Sequence, residues 1–363
     1  MTYPVLPHPD AEALAPMIAQ GKKDNPKLRA RDLAHALGLS EGLMLSARCG
    51  SDVVRLQPAS KAMLKAFIDL GEVMVLTRNE SCVHEKVGQW GRIGGGEHVA
   101  LVLNGAVDLR IFLKHWVHVF AIVEQTDKGA KRSIHIFNAE GDAVHKIFLR
   151  ETSDVAAFEG LMDRFRHENQ TPFFLPEQPE AVEPERELDD AEVDVESLRA
   201  DWLGMKDVHE FFGMLKKHKI DRLQAHRLIG SDLAKPLDVG AATAALNAAA
   251  EMGLPIMVFV RSPGCVQIHS GKIETLKTVG PWFNVLDPGF NLHLREDHIK
   301  KVWLVRKPNA ISHVTSIEVY DDKDNLIVQF YGVRDEKEDE NPQWRALAET
   351  LPTLGGLTEV VAS

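Results

Sequence analysis

Imidazole, guanidinium, ammonium, phenol and phenyl groups gather in the second half of this 363-residue chain, in His209, Arg222, Phe259, Lys307, Gln329, Tyr331 and Arg334. His209 belongs to residues 206–220, KDVHEFFGMLKKHKI, where Val208, Phe211, Phe212 and Leu215 form the apolar stripe of a helix and Asp207 is a candidate N-cap. This spacing predicts His209 in the first helical turn, beside the stripe, with a ring nitrogen available to a ligand. The bland alternative is a solvated histidine at a helix start. Gln329, Tyr331 and Arg334 cluster at one strand end, in QFYGVR.

The elements that must position these residues come in two copies. At a constant offset of 183, Met74, Val75, Arg78, Cys82, Val83, Gly88, Val102, Leu103, Leu109, His115, Val119, Ser133 and Ile134 each meet an identical residue, without a gap. Phe120, Phe137, Val144 and Phe148 meet Trp303, Tyr320, Ile327 and Tyr331, which preserves apolar or aromatic size. The chain is a duplicated unit. Differences between the copies then locate function. Leu76, Glu124, Phe148 and Glu151 become Phe259, Lys307, Tyr331 and Arg334, and at an offset of 181 Leu28 becomes His209. An aromatic, two cations, a phenol and an imidazole have replaced apolar or acidic residues, so one site, carried mainly by the second copy, is expected.

Cations with an aromatic wall and a histidine suit a flat, mostly apolar ligand bearing carboxylates or phosphates. Haem meets that description: its iron takes an axial imidazole, its ring takes Phe or aliphatic walls, and its propionates take Arg, Lys or Tyr donors. A phosphorylated metabolite would satisfy the cations but leave the apolar wall unexplained. Each member also has an ordinary reading: Arg222 and Lys307 as surface charges, Phe259 as core, Tyr331 and Arg334 as an edge pair answering Asp335, Glu336 and Glu338. Arg110, in VDLRIF, alternates with apolar neighbours and points to a polar sheet face or a cleft; His293 is its repeat counterpart. His115, His118 and His135 are either a metal site or, on their spacing, solvent-facing strand residues. No GxSxG, HExxH, DFG or paired-carboxylate spacing is present.

Composition bounds the classes. Apolar residues are 44% and charged residues 26%, which is globular and leaves room for two domains with real cores. A net charge of −11 argues against general nucleic-acid or anionic-membrane binding. The N-terminus has no signal-like pattern and no apolar run approaches a membrane span, so a cytoplasmic protein without membrane insertion is expected. Cys49, Cys82 and Cys265 are too scattered for a metal knuckle or redox pair and are expected reduced and buried.

Along the chain, residues 26–48 predict a helical pair, 58–70 a helix opened by Pro58, and 72–77 a strand. The glycines of GRIGGG, 91–96, lack P-loop or dinucleotide spacing and read as a flexible hairpin or loop. Strands with short polar connections follow, implying antiparallel order, and then a helix at 154–166. Residues 177–196 hold ten acidic residues against Arg186 alone, with prolines nearby, and predict a solvated, stiff linker that supplies no core. The expected organisation is 1–170 for the first repeat, 171–198 for the linker and 199–355 for the second repeat. Beyond the linker the order returns, with a helical module at 208–230, a helix at 239–252 and strands from 255.

The motifs CVHEKVG (82–88), DLRIF (108–112), DVHEFFGMLKKH (207–218), RLQAHRL (222–228), IMVFVRSPGCVQIHSG (256–271), GPWFNVLDPGFNLHL (280–294), VRKP (305–308) and YGVR (331–334) resemble the HemS/ChuS/PhuS/HmuS family of bacterial cytoplasmic haem-handling proteins. The resemblance covers nearly the whole chain. It implies an α+β fold, a tandem repeat in which each half is a large antiparallel sheet flanked by helices, with a haem cleft between the halves. It implies one haem b per chain, His209 as axial iron ligand, and Arg110 as the distal residue, catalytic if the protein is an enzyme. Arg222, Phe259, Lys307, Gln329, Tyr331 and Arg334 would surround the macrocycle and its propionates. His218 and His226 lie in the same helical module and stand as alternative ligands. The implied role is to accept imported haem, from the cytoplasmic side of a haem ABC importer, and deliver it for iron release to a haem oxygenase. The alternatives are ring opening by the protein itself, as a haem-degrading enzyme, and a non-haem regulatory or interaction module.

Overall fold

The computed structural model describes residues 11–96, 98–103, 105–178, 188–334 and 339–354. It divides into two compact units, residues 1–78, 84–180 and 261–267 in one and 79–83, 181–260 and 268–363 in the other. The short segments 79–83 and 261–267 are near-equivalents at the repeat offset, and each is grouped with the other unit.

In the first repeat a helical layer, α1 (Ala11–Asp24), α2 (Ala30–Ala36) and α3 (Glu41–Ser46), precedes strand β1 (Val53–Leu56) and helix α4 (Lys61–Ala66). Strands β2 (Glu72–Arg78), β3 (Cys82–Gln89), β4 (Arg92–Gly95), β5 (Val99–Leu103), β6 (Asp108–Phe112), β7 (His118–Thr126), β8 (Gly129–Phe137) and β9 (Ala143–Leu149) follow, and α5 (Val155–Phe165) closes the repeat. The second repeat runs α6 (Val195–Gly204), α7 (Glu210–His218), α8 (Arg222–Leu228), β10 (Ala234–Leu237), α9 (Ala241–Glu251) and then β11 (Ile256–Ser262), β12 (Cys265–Gly271), β13 (Leu276–Val279), β14 (Trp282–Asp287), β15 (Phe290–Arg295), β16 (Lys301–Pro308), β17 (His313–Tyr320), β18 (Leu326–Gly332) and α10 (Pro342–Glu349).

The described strands form two nine-stranded sheets, one containing the run β1-β7-β8-β9-β2-β3 and the other its repeat equivalent β10-β16-β17-β18-β11-β12. One three-stranded meander completes each sheet to nine. Pairing is antiparallel in the β7–β8–β9 and β16–β17–β18 ladders, as the short connections predict. Duplication reaches the irregularities: the β8–β9 register shifts at Ile136/Phe137 and the β17–β18 register at Val319/Tyr320, positions 183 apart. A bulge re-aims side chains, so both copies kept the same device at the same place.

Period-2 alternation gives each sheet two buried faces. In the second unit Val258, Val260, Leu304, Ile317, Val319 and Phe330 pack under α9 and α10. The opposite face, through Val305 and Trp303, meets Trp202, Phe211, Met214 and Leu215 of α6 and α7. The first unit repeats the plan: Val75, Val119, Ile134, Ile136 and Ile147 pack with α4 and α5. Phe120, Ile122 and Phe137 pack with Leu14, Leu33, Leu43 and Met44 of α1–α3.

Several expectations change. Of the two alternatives for the GRIGGG run, the hairpin is the one realised: Arg92–Gly95 is a hairpin arm paired with β5. Its glycines permit close backbone contact, since a Cβ at Gly95, where φ is +88°, would stand 2.2 Å from the Val99 carbonyl oxygen. The helix at 58–70 is capped by Ser60, whose hydroxyl accepts from the Met63 amide, rather than opened by Pro58. The flanks of the acidic segment do contribute to cores: Phe174 stacks on His118 at 3.9 Å, and Val193 is buried against α6. Its residues 179–187 lie outside the described residues. Three helices escaped the sequence reading: α1, which buries Leu14 and Ile18, α6, which begins inside the expected linker and buries Leu198 and Trp202, and α10, which buries Trp344. Cys49, Cys82 and Cys265 are buried free thiols.

Candidate functional site

The expected helix over 207–218 starts at Glu210, with His209 itself at the N-cap position in a helical conformation. Asp207 therefore does not cap the helix through its first turn. Its Oδ1 instead accepts from the His209 amide at 2.8 Å and contacts ring Nδ1 at 2.6 Å. The His209 amide, the His209 ring and nearby Arg334 hold the Asp207 carboxyl below the usual carboxylate range, against partial burial. A carboxylate on Nδ1 sets the tautomer with its proton there and leaves Nε2 as the free lone pair. The imidazole is 86% exposed, so that lone pair faces outward.

Of the other expected residues, Phe259, Lys307, Gln329 and Tyr331 lie on strands β11, β16 and β18, and Arg222 opens α8. Phe259 is half-buried on the side opposite the core-facing Val258 and Val260, with its ring 4.9 Å from that of Tyr331. It is a wall rather than core. Arg222, Lys307 and Gln329 converge on a residue that sequence reading missed, Glu318, which is 0% exposed. Its Oε2 accepts from Arg222 at 2.9 Å and from the Tyr320 hydroxyl at 2.5 Å. Oε1 accepts from Lys307 at 2.5 Å, Gln329 at 3.0 Å and Ser316 at 3.2 Å. Burial alone would raise this carboxyl, but Arg222 and Lys307 hold it well below the usual range, so it is ionised. Burial in turn lowers Lys307 to about 8, although Glu318 opposes that shift. Phe211 lies over both cations, with Lys307 Nζ 4.5 Å and the Arg222 guanidinium 5.0 Å from its ring centroid.

Two cations against one carboxylate leave this buried set with positive charge, next to Arg334. Arg222 and Lys307 are thus not the ordinary surface charges of the bland reading. The acids Asp335, Glu336 and Glu338, offered as partners for Tyr331 and Arg334, lie outside the described residues; Arg334 is instead close enough to Asp207 to lower its carboxyl. Burial, then Glu318, raises the Tyr331 phenol, which stays protonated and able to donate.

Neither alternative histidine resembles His209. His218 gives Nε2 to Asp201 at 2.6 Å. His226 is 1% exposed and boxed by Trp202, Phe211, Trp303 and Tyr320, and burial pushes its ring down to about 3. Arg110 belongs to the first unit, in β6, where it is half-buried and paired with Asp108. It is not among the groups that meet at Glu318. Two of the three clustered histidines are not solvent-facing as expected: His118 lies under Phe174, and the ring of His135 packs edge-on against Phe148 at 5.4 Å. Among the described residues no three His, Cys, Asp or Glu side chains are placed to share an ion.

A signal for Glu318 existed. Ser316, Glu318 and Tyr320 alternate with the core residues Ile317 and Val319, opposite Ser133, His135 and Phe137 of the first copy. Cations newly acquired on a buried sheet face require a buried anion, and Glu318 is the acid in that register.

Fold and site together define a class: a tandem α+β repeat whose second copy alone has an exposed, carboxylate-oriented imidazole beside a buried cationic cluster. The profile of the haemin-degrading HemS.ChuX domain matches residues 38–165 and 219–351. The hemin transport protein HmuS of Yersinia pestis is 40% identical over 336 residues, covering 92% of this chain and 95% of its own. The crystal structure of holo-PhuS, a heme-binding protein from Pseudomonas aeruginosa, superposes with a TM-score of 0.92 at 44% identity, covering 95% of this chain and 100% of that one. ChuS, an E. coli heme oxygenase, superposes with a TM-score of 0.83 at 34% identity over 92% of this chain and 99% of that one. The chain belongs to the HemS/ChuX family.

Proposed function

We propose that this protein binds one haem b per chain through its second repeat, in the cytoplasm, and delivers it for iron release. The observation that carries the reading is the His209 ring, exposed, with Nδ1 held by Asp207 and Nε2 turned outward. Haem as cargo supplies an iron that takes an imidazole nitrogen and a flat ring with two carboxylates. The residues fit that demand in kind. His209 Nε2 offers the ligand, Phe259 and Tyr331 offer an aromatic wall, and Arg334, Tyr331 and the positive excess at Glu318 answer propionates. The names of the relatives support the same reading: one is a hemin transport protein and another a heme-binding protein. Arg110 is retained as the proposed distal residue.

Delivery rather than consumption is favoured by single-imidazole ligation, because an exposed ring on a helix start can surrender its ligand to a partner's histidine. The partner would be a haem oxygenase, and the source the cytoplasmic side of a haem ABC importer. A second reading, ring opening by this chain, is favoured by ChuS, a heme oxygenase 34% identical to it. A haemin titration followed by reductant under air, with catalase present, separates the readings. We expect a saturable Soret band at one haem per chain and no ring-opened product. A ring-opened product with iron release would replace delivery by degradation, and no saturable band would leave an interaction module.

His209→Ala should abolish the ligated Soret spectrum while His118→Ala leaves it intact; equal spectra would reject the ligand assignment. Arg334→Ala should cost about 1.5–3 kcal/mol of haem affinity, the range of a charge-assisted contact. Unchanged affinity would remove Arg334 from the site.

A further inference from the structure

The repeat comparison leaves one feature of the first unit without a role. Between the α1–α3 layer and its sheet lies a cavity of about 750 Å³. Its lining includes Leu28, Glu41, Glu124, His135 and Phe148, which at the repeat offsets are the counterparts of His209, Arg222, Lys307, Glu318 and Tyr331. The first copy has therefore kept the place of the second copy's cluster but changed its chemistry. With Leu28 where His209 would be, the α2 side of the cavity has no metal ligand.

The cavity is not inert. Ile18, Leu33, Met44, Leu45 and Ile122 make most of its wall apolar. Three buried polar atoms of its lining, Glu41 Oε2, Arg132 Nε and His135 Nε2, have no hydrogen-bond partner among the described residues. Buried polar atoms are rarely left unmatched, and several around one cavity mark a place for a polar group that is not protein. The lining carries four cations, Lys22, Arg48, Lys131 and Arg132, and two carboxylates, Glu41 and Glu124, with Arg48 also paired to Asp52 and Arg132 to Glu159. Glu41 is moreover paired through Oε1 with Lys146. Arg132 Nε is a donor left unmatched on a cation, so the polar end of a guest is favoured to be an acid. In the second copy the equivalent interior holds Glu318 and its own partners.

We infer that the first repeat binds a second small molecule, an apolar carboxylic acid held without metal ligation, with its body against α1–α3 and its acid group at Arg132 and His135. Long-chain fatty acids and metal-free porphyrins share this chemistry. The inference does not rest on haem binding by the second repeat.

The test uses the full chain loaded with haemin, titrated separately with oleate and with protoporphyrin IX, by calorimetry and by porphyrin fluorescence. One additional equivalent of either probe per chain is expected, and the probe that binds assigns the source. Ala30→Trp, which fills the rim of the cavity, and His135→Phe, which keeps the ring but removes its nitrogens, should each weaken that binding at least tenfold. Both variants should retain the parental unfolding midpoint within a few degrees and the parental Soret band, because neither residue belongs to the second repeat. Uptake of neither probe, or uptake that both variants leave unchanged, would overturn the proposal. Failure of haem loading would show as a missing Soret band, and oleate could still be titrated on the haem-free chain.

Discussion

At the scale of single residues the site is governed by two carboxylates that do opposite things. Asp207 is exposed and orients; Glu318 is buried and neutralises. Replacing Asp207 by Ala removes the group that fixes the His209 tautomer while leaving the ring in place, so haem affinity should fall about 10–100-fold, as for other supporting partners of metal-ligating histidines. The Soret maximum of the residual complex should stay that of an imidazole adduct, which distinguishes loss of orientation from loss of the ligand. Glu318→Gln leaves Arg222 and Lys307 buried together without an anion, and breaking such a set costs about 3–5 kcal/mol. The denaturation midpoint in urea should drop accordingly. Adding Lys307→Met should restore part of the loss, since it removes the repulsion; a double variant as unstable as the sum of the singles would show the pair to be uncoupled.

Short helices carry the site, so their ends matter more than their lengths. Helix α8 spans Arg222–Leu228 and begins at Asp221, whose side chain accepts from the Gln224 amide at 2.7 Å. Its counterpart α3 is capped by Ser40 through the Leu43 amide, at the same offset of 181. The cap sets where Arg222 leaves the helix, directly above Glu318. Asp221→Ala should destabilise the chain by about 1 kcal/mol, and Asp221→Ser much less, measured by urea unfolding. The first repeat shows the same logic from the sheet side. Because β8 and β17 keep a common bulge, His135 and Glu318 occupy equivalent positions, and the difference between an open cavity and a closed ion cluster comes down to side chains rather than backbone.

For the whole molecule, duplication followed by specialisation explains why so much buried polarity is tolerated. Each unit contains a fully buried neutral histidine: burial pushes His145 in the first and His226 in the second down to about 3. The unfolded chain titrates these rings near pH 6.5. Between 6.5 and about 3 the unfolded state therefore binds protons that the folded state refuses, and stability falls as pH falls through that window. The loss at pH 4 is about 3 kcal/mol for each such ring. Urea midpoints measured from pH 7 to 4.5 should decline, and His226→Gln should flatten the decline. An unaltered slope in that variant would mean that His226 does not stay neutral in the fold.

The repeat, its antiparallel strands, the helical modules and the candidate residues from His209 to Arg334 were legible in the linear chain, because duplication turns each side-chain change into a visible contrast and strand alternation is local. Arg222, Lys307 and Gln329 could be suspected of sharing a site, but not of sharing Glu318. That acid is separated from Arg222 by 96 residues, and its role depends on α8 lying across β17. Asp207 was read as a cap when it is a clamp on His209, since helix starts shift by a residue or two with packing. The glycine run became a strand because its partner lies on β5. Local pattern determined what each segment could become; which buried charges meet was decided by packing between distant elements, where desolvation makes each unpaired charge too costly to leave alone.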